Sequence, residues 1–120
     1  MPHLAQHYEQ YLGHVVGNGH CVALVQACSA VGHTSTWSRG VLVRYGNHPD
    51  GTIIATFGSS GKYENKTDGS SHVAILIGQQ PDGLMVQDQW VDQYCHHRLI
   101  RFKNGEGDAV NDGDQYYVVE

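Results

Sequence analysis

The sequence predicts an α+β fold in which one short helix packs on a face of an antiparallel sheet, and two patterns carry that prediction. An apolar helical stretch, CVALVQACSAV, stands early in the chain, and five β-branched or aromatic segments follow it after residue 51. Helix and strands that segregate along a chain, rather than alternate, build a helix layer on a sheet layer. With 120 residues, 16% of them charged, the chain suffices for one domain over 1–120 with a modest core.

In chain order, HLAQHYEQYLG predicts a short helix ended by Gly13. CVALVQACSAV is the strongest helix: spacing its residues at about 100° leaves Gln26 and Ser29 on a narrow polar face and the rest apolar. Asn18 or His20 is the candidate cap and Gly32 follows the end, so Cys21 falls in the first turn. TIIATF (52–57), HVAILIG (72–78), LMVQDQW (84–90), HRLIRF (97–102) and QYYVVE (115–120) predict strands. QPDG joins the second and third as a tight turn. Alternation then groups Leu84, Val86, Asp88 and Trp90 on one face, with Met85, Gln87 and Gln89 on the other. The connection GSSGKYENKTDGSS is long for so small a chain and predicts a mobile lip on a groove.

The three cysteines, Cys21, Cys28 and Cys95, cannot all pair, and their spacing fits neither a zinc signature nor a dense disulfide framework. Cys21 is the chemically interesting one. Unpaired N–H groups and the positive dipole end at a helix start favour thiolate, the form that attacks carbonyls, and the same N–H groups receive an oxyanion. A histidine partner is the usual further requirement. His72 opens a strand after a flexible loop, and a hairpin closed by QPDG returns Asp88 beside it, where a carboxylate would fix the imidazole tautomer.

Plainer readings stand beside these. Cys21 could be a buried small hydrophobe, and Asp88 could cap a turn or pair with Arg98 or Arg101. Trp37 and Trp90 fit core or rim packing as well as a substrate platform. Cys28 and Cys95 read as buried thiols, with a bridge between them as the alternative. His3 with His7, and Cys95 with His96 and His97, raise a zinc-binding module, against which neighbouring strand residues face opposite ways and no acid accompanies the helical pair. No metal and no cofactor are therefore expected. A net charge of −5 without a basic cluster argues against nucleic acid. The first residues show no basic segment followed by a long apolar run, so neither an ordinary secretory signal nor membrane insertion is expected, and synthesis in a cytoplasm is.

GNGHCVALVQ, HVAILIG and GLMVQDQW, joined by TSTWSRG and GTIIATF in the same order, resemble the CHAP and NlpC/P60 class of papain-like cysteine peptidoglycan amidases, nearest to small type VI secretion amidase effectors. The resemblance implies Cys21 as nucleophile, His72 as general base and acid, and Asp88 as the group orienting His72, with Gln87 and Gln89 as substitutes because the class varies at that position. Asn18, His20, Trp37, Tyr63, Gln89 and Trp90 are the candidates for the oxyanion site and groove. The class commonly has Gln or Glu before the nucleophile, where this chain has His20. The implied substrate is a peptidoglycan stem or cross-link peptide. The implied partners are a secretion apparatus that delivers the protein to a rival's periplasm and a periplasmic immunity protein that plugs the groove. The alternatives are a papain-like toxin acting on a protein of the target cell, and a non-catalytic cell-wall-binding module.

Overall fold

A computed structural model describes all of residues 1–120. It contains one α-helix, α1 (Cys21–Cys28), and six strands: β1 (Arg39–Leu42), β2 (Ile53–Thr56), β3 (Val73–Gln80), β4 (Gly83–Trp90), β5 (Gln93–Arg101) and β6 (Tyr116–Val119). The strands form a single antiparallel sheet in the order β1-β6-β2-β3-β4-β5. This is the α+β layout expected from the sequence. Pro81 and Asp82 make the turn between β3 and β4, and Val91 and Asp92 the one between β4 and β5.

Alternation along each strand divides the buried residues between the two sheet faces. Ile53, Ala55, Val73 and Ile75 join Leu24, Val25 and Cys28 of α1 in one cluster. Ile54, Ala74, Leu76, Leu84 and Val86 turn the other way and pack with Ile100, Tyr116 and Val118. Both faces are apolar, so the middle of the sheet is closed to water.

Three expectations are corrected. Residues 3–13 hold no α-helix: Leu4 bridges Thr52, and only Tyr8–Tyr11 turn, as a 3-10 helix entered through His7 in the left-handed region at φ 56°. Here the backbone takes its partners from the sheet, since Ala5 N–H donates to the Gly51 carbonyl and Ile53 N–H to that of His3. The main helix ends at Cys28, before Ala30 and Val31, with extended backbone at Ser29. Strand β1 has no counterpart among the expected strands. It is a half-exposed edge segment whose register slips between Arg39 and Leu42, so its alternation is blurred.

Candidate active site

The chain turns into α1 through GNGH, and three groups position that turn. Gly17 sits at φ +57°, and a Cβ on it would lie 2.9 Å from the Ala23 Cβ. Asn18 Oδ1 accepts the His20 N–H at 3.1 Å. Neither Asn18 nor His20 caps the helix with its side chain, contrary to expectation, and the Cys21 N–H donates to no protein group. From β4, Gln89 reaches the turn with its whole amide: Oε1 accepts the Val16 N–H at 2.9 Å, while Nε2 donates to the carbonyls of Val16 at 2.9 Å and His20 at 2.8 Å. The helix start is thereby tied to the sheet with its first amides open.

His72 directly precedes β3. Its N–H donates to Thr56 Oγ1 at 3.0 Å, and that hydroxyl donates in turn to the Ser70 carbonyl at 2.8 Å. Asp88, fully buried near the end of β4, lies 2.7 Å from His72 Nε2 through Oδ2. The same oxygen accepts Arg98 Nε at 2.8 Å, and Oδ1 lies 3.1 Å from His96 Nε2. This last approach lacks hydrogen-bond alignment, and both atoms are buried without a hydrogen-bond partner. With Nε2 held by the carboxylate, Nδ1 is the imidazole nitrogen left for sulfur, and the Cys21 thiol lies close enough to this ring and to the Val73 N–H for both to favour its ionised form. The Tyr63 hydroxyl completes the sulfur's surroundings at 3.7 Å.

The electrostatics follow from these contacts. Burial pushes the Cys21 thiol up, but the bond to His72, its charge, the Val73 N–H and Tyr63 outweigh burial and leave the thiol below its ordinary value. Burial likewise pulls His72 down, yet Asp88 and Cys21 raise it to about 9. For Asp88 burial acts upward, and His72 and Arg98 hold the carboxyl below the usual carboxylate range. Burial and the sulfur's charge push the Tyr63 hydroxyl up, so it stays protonated and donates. These shifts act together: each favours the thiolate of Cys21, the imidazolium of His72 and the carboxylate of Asp88 beside one another.

Cys21 and His72 open into a groove of about 480 Å³, whose walls include His20, Tyr63, Trp90 and Arg98, with Asn65 and Lys66 from the 58–71 connection. Trp90 is exposed and meets His72 edge-on at 6.2 Å. Three residues expected at the groove lie elsewhere. Trp37 is buried, packing on Tyr63 at 4.9 Å and donating Nε1 to the Val31 carbonyl at 3.0 Å. Gln89 is buried because its amide is used up on the turn, and Asn18 lines a smaller adjoining depression. Gln87 faces away from His72, donating Nε2 to the Tyr8 carbonyl at 2.6 Å and accepting from His97 Nε2 through Oε1 at 3.0 Å. Arg101 pairs with Asp82. All three cysteines are free, Cys28 donating to the Leu24 carbonyl and Cys95 accepting from Gln87. No group of three His, Cys, Asp or Glu side chains is arranged to hold a metal ion.

The pairing of Asp88 with Arg98 is one of the plainer readings, met here together with His72 rather than in its place, whereas Gln89 at the turn holds a role that the sequence pattern does not assign it. Pairing outward from the Val91–Asp92 turn sets Asp88 opposite His96 and Val86 opposite Arg98, a signal available once β5 is extended back to Gln93. The grip of Gln89 on Val16 spans 73 residues and leaves no local trace.

A helix-borne thiol, an imidazole and a carboxylate in series, beside free helix amides, make a site suited to hydrolysis of acyl compounds. Comparison with known proteins places the chain among the amidase effectors. The model of the family described as "Domesticated amidase effector 2" matches residues 3–119, and the chain belongs to that family. A type VI secretion amidase effector 2 protein of Salmonella typhi is 38% identical over 120 aligned positions, covering 88% of each chain. The solved structure of a type 6 secretion amidase effector 2 is similar with a TM-score of 0.83 at 32% identity, over 98% of this chain and 93% of that one.

Proposed function

We propose that this chain is a one-domain, papain-like cysteine amidase that cuts an amide in the peptide part of bacterial peptidoglycan. The observation that carries the reading is the grouping of Cys21 and His72, which perturb each other and line one open groove, with buried Asp88 holding His72 Nε2 at 2.7 Å from behind. The Cys21 thiolate attacks the scissile carbonyl. The oxyanion so formed is received by the Cys21 N–H, with Tyr63 near enough to assist. His72, protonated, gives its proton to the leaving amine, and the thioester is then hydrolysed by water that His72 deprotonates. Asp88 keeps Nε2 occupied and the imidazolium favoured. A positioned acid and base contributes about 10²–10⁴ in rate, and one oxyanion donor about 10²–10³.

The wall substrate and the delivery route come from the named relatives, which are type VI secretion amidase effectors. On that footing the protein is exported by a contact-dependent secretion apparatus and acts in the periplasm of the target cell, and its producer carries an immunity protein that covers the groove. No helix is long and apolar enough to cross a membrane.

Purified sacculi incubated with the wild type release new peptide fragments, read by mass spectrometry, and Cys21→Ala releases none. Absence of fragments with the wild type, or equal release by Cys21→Ala, refutes the assignment.

A further inference from the structure

We propose that Arg98 binds a free carboxylate of the substrate, so that the protein selects wall peptides bearing an anionic group close to the amide it cuts. This rests on the amidase reading above and narrows its substrate class. The chain as a whole carries a net charge of −5, yet no Asp or Glu lines the groove, whose cationic side chains are Lys66, Arg98 and His72. The carboxylates nearest these cations stand outside the lining, Asp88 bound to His72 and Arg98 and Glu64 facing Lys66.

Of these cations Arg98 is the one held in place. Its side chain is 19% exposed, its Nε is fixed on Asp88 and its guanidinium lies 5.0 Å over the Trp90 ring. Lys66 is 53% exposed and faces Glu64 at 3.4 Å. A guanidinium carries five N–H donors in a rigid fork, which matches a carboxylate with two parallel bonds. Asp88 takes only the Nε donor, and the nearby Tyr116 hydroxyl donates to the Val110 carbonyl at 2.8 Å. The remaining donors serve no protein carboxylate, and Arg98 lines the groove. Because Arg98 and His72 share one oxygen of Asp88, a carboxylate on the fork sits in the same groove as the sulfur and within a residue or so of the reacting carbonyl. Stem peptides of the wall carry such carboxylates at chain ends and on their acidic residues.

The competing role is a brace that only holds Asp88, and the ratio of two substrates separates the two roles. Wall peptides are prepared with the carboxylate beside the scissile amide either free or amidated, and kcat/KM is measured for both. The wild type prefers the free acid by about tenfold or more, the range of a charged hydrogen bond. Arg98→Gln brings this ratio close to one, and Arg98→Lys retains part of it. If Arg98→Gln lowers both substrates equally and keeps the ratio, or if Lys66→Gln is the change that abolishes it, the proposal is overturned. Calorimetric binding of the same peptides to Cys21→Ala, with and without Arg98→Gln, reads discrimination without turnover. Peptides bound with preference for the free acid but never cut by the wild type refute the amidase reading and keep the carboxylate site. Peptides cut without preference do the reverse.

Discussion

Gln89 never meets the sulfur, yet three of its hydrogen bonds fix the loop that carries it. The residue is buried, so removing its amide leaves the Val16 and His20 backbone groups without partners in a site that water reaches poorly. Gln89→Ala is expected to cost about 2–4 kcal/mol in urea unfolding, from several unmet groups at about 1–3 kcal/mol each with partial relaxation. Turnover falls further than the unfolded fraction explains, because the helix start shifts. Unchanged kcat with normal stability contradicts this role. Cys21, His72 and Asp88 are readable from residue type and position: a thiol at a helix start, and an imidazole and acid at matching points of one hairpin. Gln89 reads from the sequence as a groove residue or stand-in for Asp88, because its alternation face is visible there and its partner, the far turn, is not.

Among the elements, the GNGH turn and α1 act as one unit. Gly17 combines φ +57° with a space that closes on Ala23, so the turn tolerates no side chain there. Gly17→Ala is expected to cost about 1–3 kcal/mol, through left-handed strain and the contact with Ala23. The same change lowers kcat by moving Cys21 relative to His72, and comparing turnover at full folding with the thermal midpoint tests this. Gly13, at φ +82° with open space where a Cβ would stand, is the control: Gly13→Ala meets only the strain. Elements with strong local patterns are legible in the sequence, namely α1, β2, β6 and the β3–β4 hairpin. The N-terminal segment and β1 are not. Both take their form from edge contacts, Leu4 with Thr52 and Arg39 with Val119, and neither pattern is written in the local residues.

On the scale of the molecule, the site joins three places: the start of α1, the start of β3 and the end of β4. A tight hairpin brings His72 to Asp88, and this is foreseeable from the turn residues. The approach of Cys21 to His72 depends on Leu24, Val25 and Cys28 docking on Val73, Ile75 and Ala55, long-range packing that sequence pattern implies only as an apolar face. Docking also makes the chemistry, since sulfur and imidazole perturb each other only when the core is formed. The activity profile follows. His72 must be protonated to release the amine, so kcat/KM declines as pH rises through about 9, and it declines on the acid side where Cys21 takes up its proton.

The thiolate–imidazolium pair is tested most directly by the pH dependence of iodoacetamide alkylation, located by peptide mass spectrometry. Cys28, pushed up to about 11 by burial, and Cys95, also raised, stay unreactive, so the readout belongs to Cys21. The wild type is expected to alkylate with a midpoint clearly below the ordinary thiol value of about 8.5, and His72→Gln to move that midpoint upward to at least the ordinary value. A wild-type midpoint at or above that of an ordinary thiol, unmoved by His72→Gln, contradicts the pairing on which the proposed chemistry stands.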